Sequence, residues 1–152
     1  LPLLMATRLD EAGLQALGRQ LAPLLRPGDV VALSGELGAG KTTLARAILH
    51  ALGHVGEVPS PTFTLAQGYD DLAVPLLHCD LYRLQGAAEA EALALDDWLE
   101  TGAILIEWPE RLGNAIWPDC LWLRLEGAGA PDRLLTWRAG ASWNGRWPPP
   151  PR

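Results

Sequence analysis

Apolar residues along the first third of the chain recur with periods that predict a helix, a strand and a second helix. Leucines three or four positions apart over residues 10–25 lie on one helix face, which Asp10 can cap and Pro23 can kink or end early. Residues 30–33 form a short continuous apolar run, as in a buried strand. Residues 41–52 are apolar on nearly every side, which predicts a largely buried helix.

The rest of the chain alternates short apolar runs with helical segments. The predicted strands and helices are a strand at 62–69, a strand at 74–79, short helices at 87–95 and 97–99, a strand at 103–106, and a hairpin at 121–125 and 134–137. Strands alternating with helices are typical of an α/β sheet covered on both faces. We therefore expect one domain over residues 1–141. Residues 142–152, rich in proline and tryptophan, predict a flexible and poorly packed tail.

A glycine-rich loop joins the predicted strand to the second helix. Residues 35–42 read GELGAGKT and match the phosphate-loop pattern G-x-x-x-x-G-K-[ST] in the required strand–loop–helix context. Gly35, Gly38 and Gly40 let the backbone aim its N–H groups at phosphate oxygens. Lys41 is the only lysine in the chain. We expect it to be exposed at the loop and to reach the β- and γ-phosphates, where a planar guanidinium would not fit. The next hydroxyl, Thr42, is offered to Mg²⁺.

Two acidic residues end predicted apolar strands, at the edge where a parallel sheet binds ligands. Glu107 ends a run that resembles a Walker B strand, so it could hold Mg²⁺ directly or through a water. Asp80 could polarise the attacking water or hold a metal-bound water. A solvated acid at a strand end is the alternative for each. Thr62, in a proline-rich loop, is the candidate γ-phosphate sensor, with a hydroxyl capping its own turn as the alternative.

Composition narrows the class of function. The net charge of -6 argues against holding nucleic acid by phosphate neutralisation, so any RNA is expected to be carried by a partner. Cys79 and Cys120 lack the spacing of a zinc or disulfide framework. Apolar runs are too short for a membrane span and the opening residues are not typical of a signal peptide, which predicts a cytoplasmic location. The guanine-reading pattern [NT]-K-x-D needs a lysine outside the phosphate loop, so adenine is favoured.

Four blocks of sequence together resemble the TsaE family, also called YjeE. They are GELGAGKTT at 35–43, SPTFT at 60–64, DLYRL at 80–84 and IEWPE at 106–110, in the family's order and spacing. The resemblance extends over about residues 9–139. It implies a three-layer α/β sandwich related to P-loop NTPases, with a mixed, mostly parallel sheet and an antiparallel edge hairpin.

The resemblance also implies an activity, cofactors and partners. Family members are small bacterial ATPases that use ATP and Mg²⁺ in making N6-threonylcarbamoyladenosine in tRNA. They act on the TsaB–TsaD pair, while TsaC supplies threonylcarbamoyl-adenylate, and they meet tRNA only indirectly. A small-molecule kinase and a non-catalytic, nucleotide-gated binding module remain as alternatives.

The family's phosphate loop matches residues 38–43, its Asp-x-Tyr-Arg acid matches Asp80, and its further nucleotide contacts would fall at about Glu11 and Arg133. These residues join those inferred from the sequence itself in one candidate set. The catalytic residues would be Asp80 and Lys41, and the metal ligands would be Thr42 and Glu107. The nucleotide-binding residues would be Glu11, Gly35, Gly38, Ala39, Gly40, Lys41, Thr42, Thr43, Thr62 and Arg133.

Overall fold

The computed structural model describes residues 5–61, 65–115 and 117–149. The strands in these residues are β1 (Met5–Leu9), β2 (Val30–Gly35), β3 (Ala66–Tyr69), β4 (Leu76–Asp80), β5 (Ala103–Glu107), β6 (Leu121–Glu126) and β7 (Arg133–Ala139). The α-helices are α1 (Glu11–Leu21), α2 (Lys41–Ala51), α3 (Ala87–Ala92) and α4 (Leu95–Trp98). Short 3₁₀ segments lie at Ala22–Leu24, Pro109–Ala115 and Ala141–Trp143.

The seven strands of the described residues form one mixed sheet in the order β1-β7-β6-β2-β5-β4-β3. Strands β6, β2, β5 and β4 are parallel neighbours. Strands β3 and β7 run the opposite way, and β1 pairs with β7 at the far edge. The predicted mixed, mostly parallel α/β sheet with an antiparallel hairpin is therefore confirmed. Parallel β2, β4 and β5 end at the same edge of the sheet.

The side chains of β2 point alternately to the two faces of the sheet, and both faces are covered, which gives three layers. Val31 and Leu33 face one buried cluster, which the apolar sides of α1 and α2 complete. Val30 and Ala32 face a second cluster, which contains Leu95 and is flanked by other side chains of the segments after β4 and β5. Successive side chains of a strand point to opposite faces, so a continuous apolar run is needed where both faces are covered.

The helix that precedes β2 begins and ends as its sequence predicts. Asp10 caps α1, because its Oδ1 accepts from the N–H of Gly13 at 2.7 Å. The α-helix ends at Leu21, and Pro23 lies in the 3₁₀ segment that follows. The long second helix is also confirmed, beginning at Lys41 and packing Leu44 into the core.

Two strands differ from the sequence predictions. Strand β1 was not predicted, because a short edge strand is stabilised by a distant partner, here β7. The strand predicted at 62–69 begins only at Ala66, since Leu65 has φ 63 and lies outside the extended region. Thr62 itself lies outside the described residues.

The segment after β7 is packed, so the expectation of a poorly packed tail is wrong for residues 142–149. Trp143 is fully buried and Trp147 is buried beside Trp137. Arg146 forms a buried ion pair with Asp29, at 2.7 and 3.0 Å. Large aromatic surfaces and a buried charge pair outweigh the proline-rich composition. None of the helices in the described part of the chain is long and apolar enough to cross a membrane.

Candidate functional site

The carboxyl ends of β2, β4 and β5 open into a cleft of about 600 Å³ at the start of α2. Most residues predicted for the site line this cleft: Glu11, Gly38, Ala39, Gly40, Lys41, Thr42, Thr43, Asp80, Glu107 and Arg133. Gly35, the first residue of the phosphate loop, ends β2. Ser60, from the proline-rich loop, also lines the cleft. The prediction for Thr62 lies outside the described residues.

The phosphate loop (residues 35–42) depends on backbone conformations that favour glycine. Gly35, Gly38 and Gly40 have φ of 144, 78 and 105 degrees. A Cβ on Gly35 would also meet the carbonyl oxygen of Leu125 at 2.4 Å. Gly40 is the residue before α2 and brings no side chain to cap it. The first N–H groups of α2, which have no partner inside a helix, are therefore accessible to a ligand in the cleft.

Lys41 is buried within the loop, with 5% of its surface exposed, so the expectation that it is exposed is wrong. Its ammonium donates to the carbonyl oxygens of Gly35 and, at 2.9 Å, Glu36. The Nζ atom also lies 4.2 Å from the centroid of the Trp108 ring. Burial lowers the pKa of Lys41, while nearby carboxylates, Glu107 first among them, act in the opposite direction. The amine is thus desolvated and held close to the place where phosphates would bind.

Thr42 and Glu107 form the part of the cleft suited to a divalent cation. Thr42 Oγ1 donates to Glu107 Oε1 at 3.0 Å, which brings a hydroxyl and a carboxylate oxygen together. The described residues contain no group of three or more His, Cys, Asp or Glu side chains that could hold a metal. Mg²⁺ is ordinarily held by one or two protein oxygens together with substrate phosphates and waters. This donor pair therefore fits Mg²⁺ bound with a nucleotide.

Asp80 lies opposite Glu107 in the register of β4 and β5. Its Oδ1 accepts from the N–H of Tyr82 at 3.1 Å. Partial burial raises the pKa of Asp80 and nearby Glu107 raises it further, while the Tyr82 hydrogen bond, His78 and Lys41 oppose the shift. A carboxylate with a raised pKa beside the phosphate loop is suited to accept a proton from water.

The β6–β7 turn is tied to the phosphate loop. Arg133 Nε donates to the carbonyl oxygen of Ala39 at 3.2 Å. The N–H of Ala128 donates to Glu36 Oε1 at 3.0 Å. Arg133 and Glu11, which lies in the first turn of α1, both line the cleft. Both residues expected from the resemblance therefore lie where a nucleotide could touch them.

Comparison with known proteins assigns the chain to a family. The family model for threonylcarbamoyl adenosine biosynthesis protein TsaE matches residues 9–134. The chain belongs to the TsaE family. A Streptomyces coelicolor protein named tRNA threonylcarbamoyladenosine biosynthesis protein TsaE is 48% identical over 118 residues, covering 76% of this chain and 80% of the relative. A Bacillus subtilis protein of the same name is 36% identical over 126 residues, covering 82% and 78%.

A solved structure extends the comparison to the fold. The crystal structure of Bacillus subtilis YdiB superposes with a TM-score of 0.77 at 29% identity, covering 93% of this chain and 89% of that one. The family resemblance inferred from the four sequence blocks is thus confirmed. The segment after β7 lies beyond the part of the chain that the TsaE model matches.

Two polar contacts of this TsaE-family site were not predicted. His78 Nε2 lies 2.7 Å from Glu107 Oε2, and the histidine is fully buried. Ser34 Oγ donates to Glu110 Oε2 at 3.0 Å, just below the phosphate loop. A polar residue within an otherwise apolar strand was the available signal for both His78 and Ser34. Their partners lie 29 and 76 positions away, which the spacing of local motifs does not encode.

Proposed function

We propose that this protein binds ATP with Mg²⁺ and hydrolyses it during the synthesis of N6-threonylcarbamoyladenosine in tRNA. The observation that carries the proposal is the meeting of Lys41, Thr42, Asp80 and Glu107 around one cleft at the start of α2. Membership of the TsaE family supports the role in tRNA modification.

The phosphate loop and the first turn of α2 would bind the phosphates. The accessible N–H groups and the partial positive charge of the helix N-terminus attract the phosphate oxygens. Lys41 then exchanges its contacts with backbone carbonyl oxygens for contacts with the β- and γ-phosphates, which accept more strongly because they are charged. The purine ring would lie toward Glu11 and Arg133, which also line the cleft. The chain has no second lysine for a guanine-reading motif, which favours adenine as the base.

The proposed metal ligands are Thr42 and Glu107. When bound, Mg²⁺ would neutralise charge on the β- and γ-phosphate oxygens. The protein's own part is to hold the hydroxyl and the carboxylate close together, as the 3.0 Å contact between them does.

Asp80 is the proposed general base. An oxygen of water attacks the γ-phosphorus, the bond from that phosphorus to the β–γ bridging oxygen breaks, and Asp80 accepts the proton of the attacking water. The products are ADP and inorganic phosphate. Partial burial favours proton acceptance by raising the pKa of Asp80, and the Tyr82 N–H fixes one carboxylate oxygen.

The proposed partners are the TsaB–TsaD pair, with TsaC in the same pathway and tRNA reached only through the assembly. The net charge of -6 supports docking on proteins more than on bare tRNA. The expected compartment is the cytoplasm. ATP turnover would reset the complex between modification cycles. Hydrolysis is therefore expected to be slow for the protein alone and faster when the partners are present.

The test is Mg²⁺-dependent release of inorganic phosphate from ATP, with and without a purified TsaB–TsaD pair. Phosphate release that rises with the pair and is lost in Asp80→Asn supports the proposal. Asp97→Asn, which changes an exposed acid on α4, is the matched control. Phosphate appearing on an added small-molecule acceptor rather than in solution would indicate a kinase. ATP binding without turnover, together with normal tRNA modification by Asp80→Asn, would indicate a binding module.

A further inference from the structure

Glu107 is held from two sides by residues of different elements. Thr42 Oγ1 contacts its Oε1, and His78 Nε2 lies 2.7 Å from its Oε2. An ionised carboxylate only accepts hydrogen bonds, so Nε2 carries the proton in this contact. One carboxylate oxygen is therefore directed to the start of α2, and the other is anchored inside the sheet.

The geometry points to His78 as a positioning residue that sets the orientation of Glu107 toward the metal side of the cleft. This inference rests on the proposed function, because it concerns the same Mg²⁺–nucleotide site. His78 acts through Glu107, and no contact of its own with a nucleotide is required. A hydrogen bond that fixes a ligating carboxylate also fixes the direction of its other oxygen.

The strand register explains why His78 can do this. His78 and Asp80 are two positions apart on β4, and Asp80 lies opposite Glu107 on β5. Side chains two apart share one face of a strand, so His78, Asp80 and Glu107 lie on the same side of the sheet. His78 is 0% exposed and Glu107 is 2% exposed, so water does not compete for their hydrogen bond.

Packing alone does not account for a histidine at this position. Nδ1 of His78 is buried and has no hydrogen-bond partner among the described residues. An unpaired polar atom is unfavourable in a protein interior. An apolar side chain of similar size would fill the same space without leaving such an atom. The contact between Nε2 and Glu107 is what distinguishes histidine from such a side chain.

The test compares His78→Gln with His78→Met. The two replacements have similar length and volume, but only the glutamine amide can place an N–H donor near the position of Nε2. The readout is the ratio of the Kd for a fluorescent ADP analogue in EDTA to its Kd in Mg²⁺, which we call the magnesium factor. The melting temperature of each variant is measured alongside.

We expect His78→Gln to keep most of the magnesium factor and His78→Met to reduce it roughly 10- to 100-fold, the usual effect of removing a hydrogen bond to a metal ligand. If His78→Met does not fold, His78→Asn replaces it, since its shorter amide cannot reach Glu107 in the same way. In a protein that already carries Glu107→Gln, replacing His78 should not change the magnesium factor further, because His78 acts through the carboxylate that this variant has removed.

Different results separate this inference from the proposed function. A wild-type magnesium factor in His78→Met, or equal losses in the methionine and glutamine variants, overturns the positioning role. A parallel fall in affinity with and without Mg²⁺ that follows the melting temperature indicates a structural role and overturns it too. If the wild-type protein binds the ADP analogue no better with Mg²⁺ than without, the proposed Mg²⁺–nucleotide site itself fails.

Discussion

The ammonium of Lys41 lies 4.2 Å from the centroid of the Trp108 ring, while it also donates to two carbonyl oxygens of its own loop. Trp108 has φ 60, an uncommon conformation for a residue with a side chain, directly after the strand that ends in Glu107. The indole and the carbonyl groups together hold a desolvated charge. The position of Lys41 is therefore determined by neighbours from two separate segments.

We predict that Lys41→Met weakens nucleotide binding without destabilising the free protein. Burial lowers the pKa of Lys41 below its unfolded value, so at neutral pH the charged form is penalised in the folded state. Methionine removes that penalty and keeps the length of the side chain. Loss of hydrogen bonds to charged phosphate should weaken binding roughly 10- to 100-fold, from about 1.5–3 kcal/mol.

Titration calorimetry with a non-hydrolysable ATP analogue, together with thermal melting of the free protein, measures both effects. Arg8→Met removes the positive charge of an exposed side chain on β1 and serves as the control. A clear fall in the melting temperature of Lys41→Met would contradict the prediction.

Asp80→Asn should separate chemistry from binding. We expect phosphate release to fall about 10²- to 10⁴-fold, the usual contribution of a general base, while ATP still binds. Asparagine can still accept from the N–H of Tyr82, so the local backbone is preserved. Phosphate release and ATP affinity are measured on the same preparations, and unchanged turnover would exclude Asp80 as the base.

The melting temperature of Asp80→Asn relative to the wild type should depend on pH. The folded-state pKa of Asp80 is raised, chiefly by burial, so its ionised form disfavours folding and that effect is present above the raised pKa. Asp80→Asn should therefore melt higher than the wild type at neutral pH. The difference should shrink as the pH falls through the raised pKa and disappear below about pH 3, where the wild-type carboxyl is protonated in both states. A difference that stays constant across this range would contradict the argument.

The phosphate loop was predictable because its chemistry is local. Three glycines, one lysine and a hydroxyl act within eight consecutive positions, and the flanking strand and helix have clear apolar patterns. Glu107 and Asp80 were predictable for a related reason, since each ends a buried strand. The burial of Lys41 was not predictable, because it depends on contact with Trp108, which follows the end of another strand, β5.

Contacts between distant segments escaped prediction. Strand β1 is defined by its pairing with β7, more than a hundred positions later. Arg146 forms an ion pair with Asp29, and Trp143 is buried in the same core cluster as the apolar side chains of α1. A proline-rich composition describes only the local preference of a chain, which tertiary packing can override.

Gly35 and Gly38 should respond differently to alanine. Both have positive φ, so each substitution introduces backbone strain of about 1–2 kcal/mol. At Gly35 the new Cβ would also lie 2.4 Å from the Leu125 carbonyl oxygen, which the β2–β6 pairing holds in place. At Gly38 the nearest atom would be 3.9 Å away, in ordinary contact. Urea unfolding should show the larger loss of stability for Gly35→Ala, and equal losses would contradict the clash.

Arg146→Met tests the segment that follows β7. Its guanidinium contacts both carboxylate oxygens of Asp29 and the carbonyl oxygen of Leu24, and both charged residues are buried. Removing one member of a buried pair leaves an unpartnered charge and should lower the free energy of unfolding by about 3–5 kcal/mol. The double variant Asp29→Asn, Arg146→Met removes both charges and should lose less, which separates the ion pair from simple packing.

The effect of Arg146→Met should be confined to stability. Asp29 directly precedes β2 and Gly35 ends it, so the ion pair lies about 20 Å from the phosphate loop along the strand. Urea unfolding measures the stability, and nucleotide affinity is measured well below the melting temperature. Ser142→Ala, an exposed position in the same segment, should change stability by no more than about 0.5 kcal/mol. If Arg146→Met is as stable as Ser142→Ala, the buried ion pair contributes little to the free energy of unfolding, which would contradict the prediction.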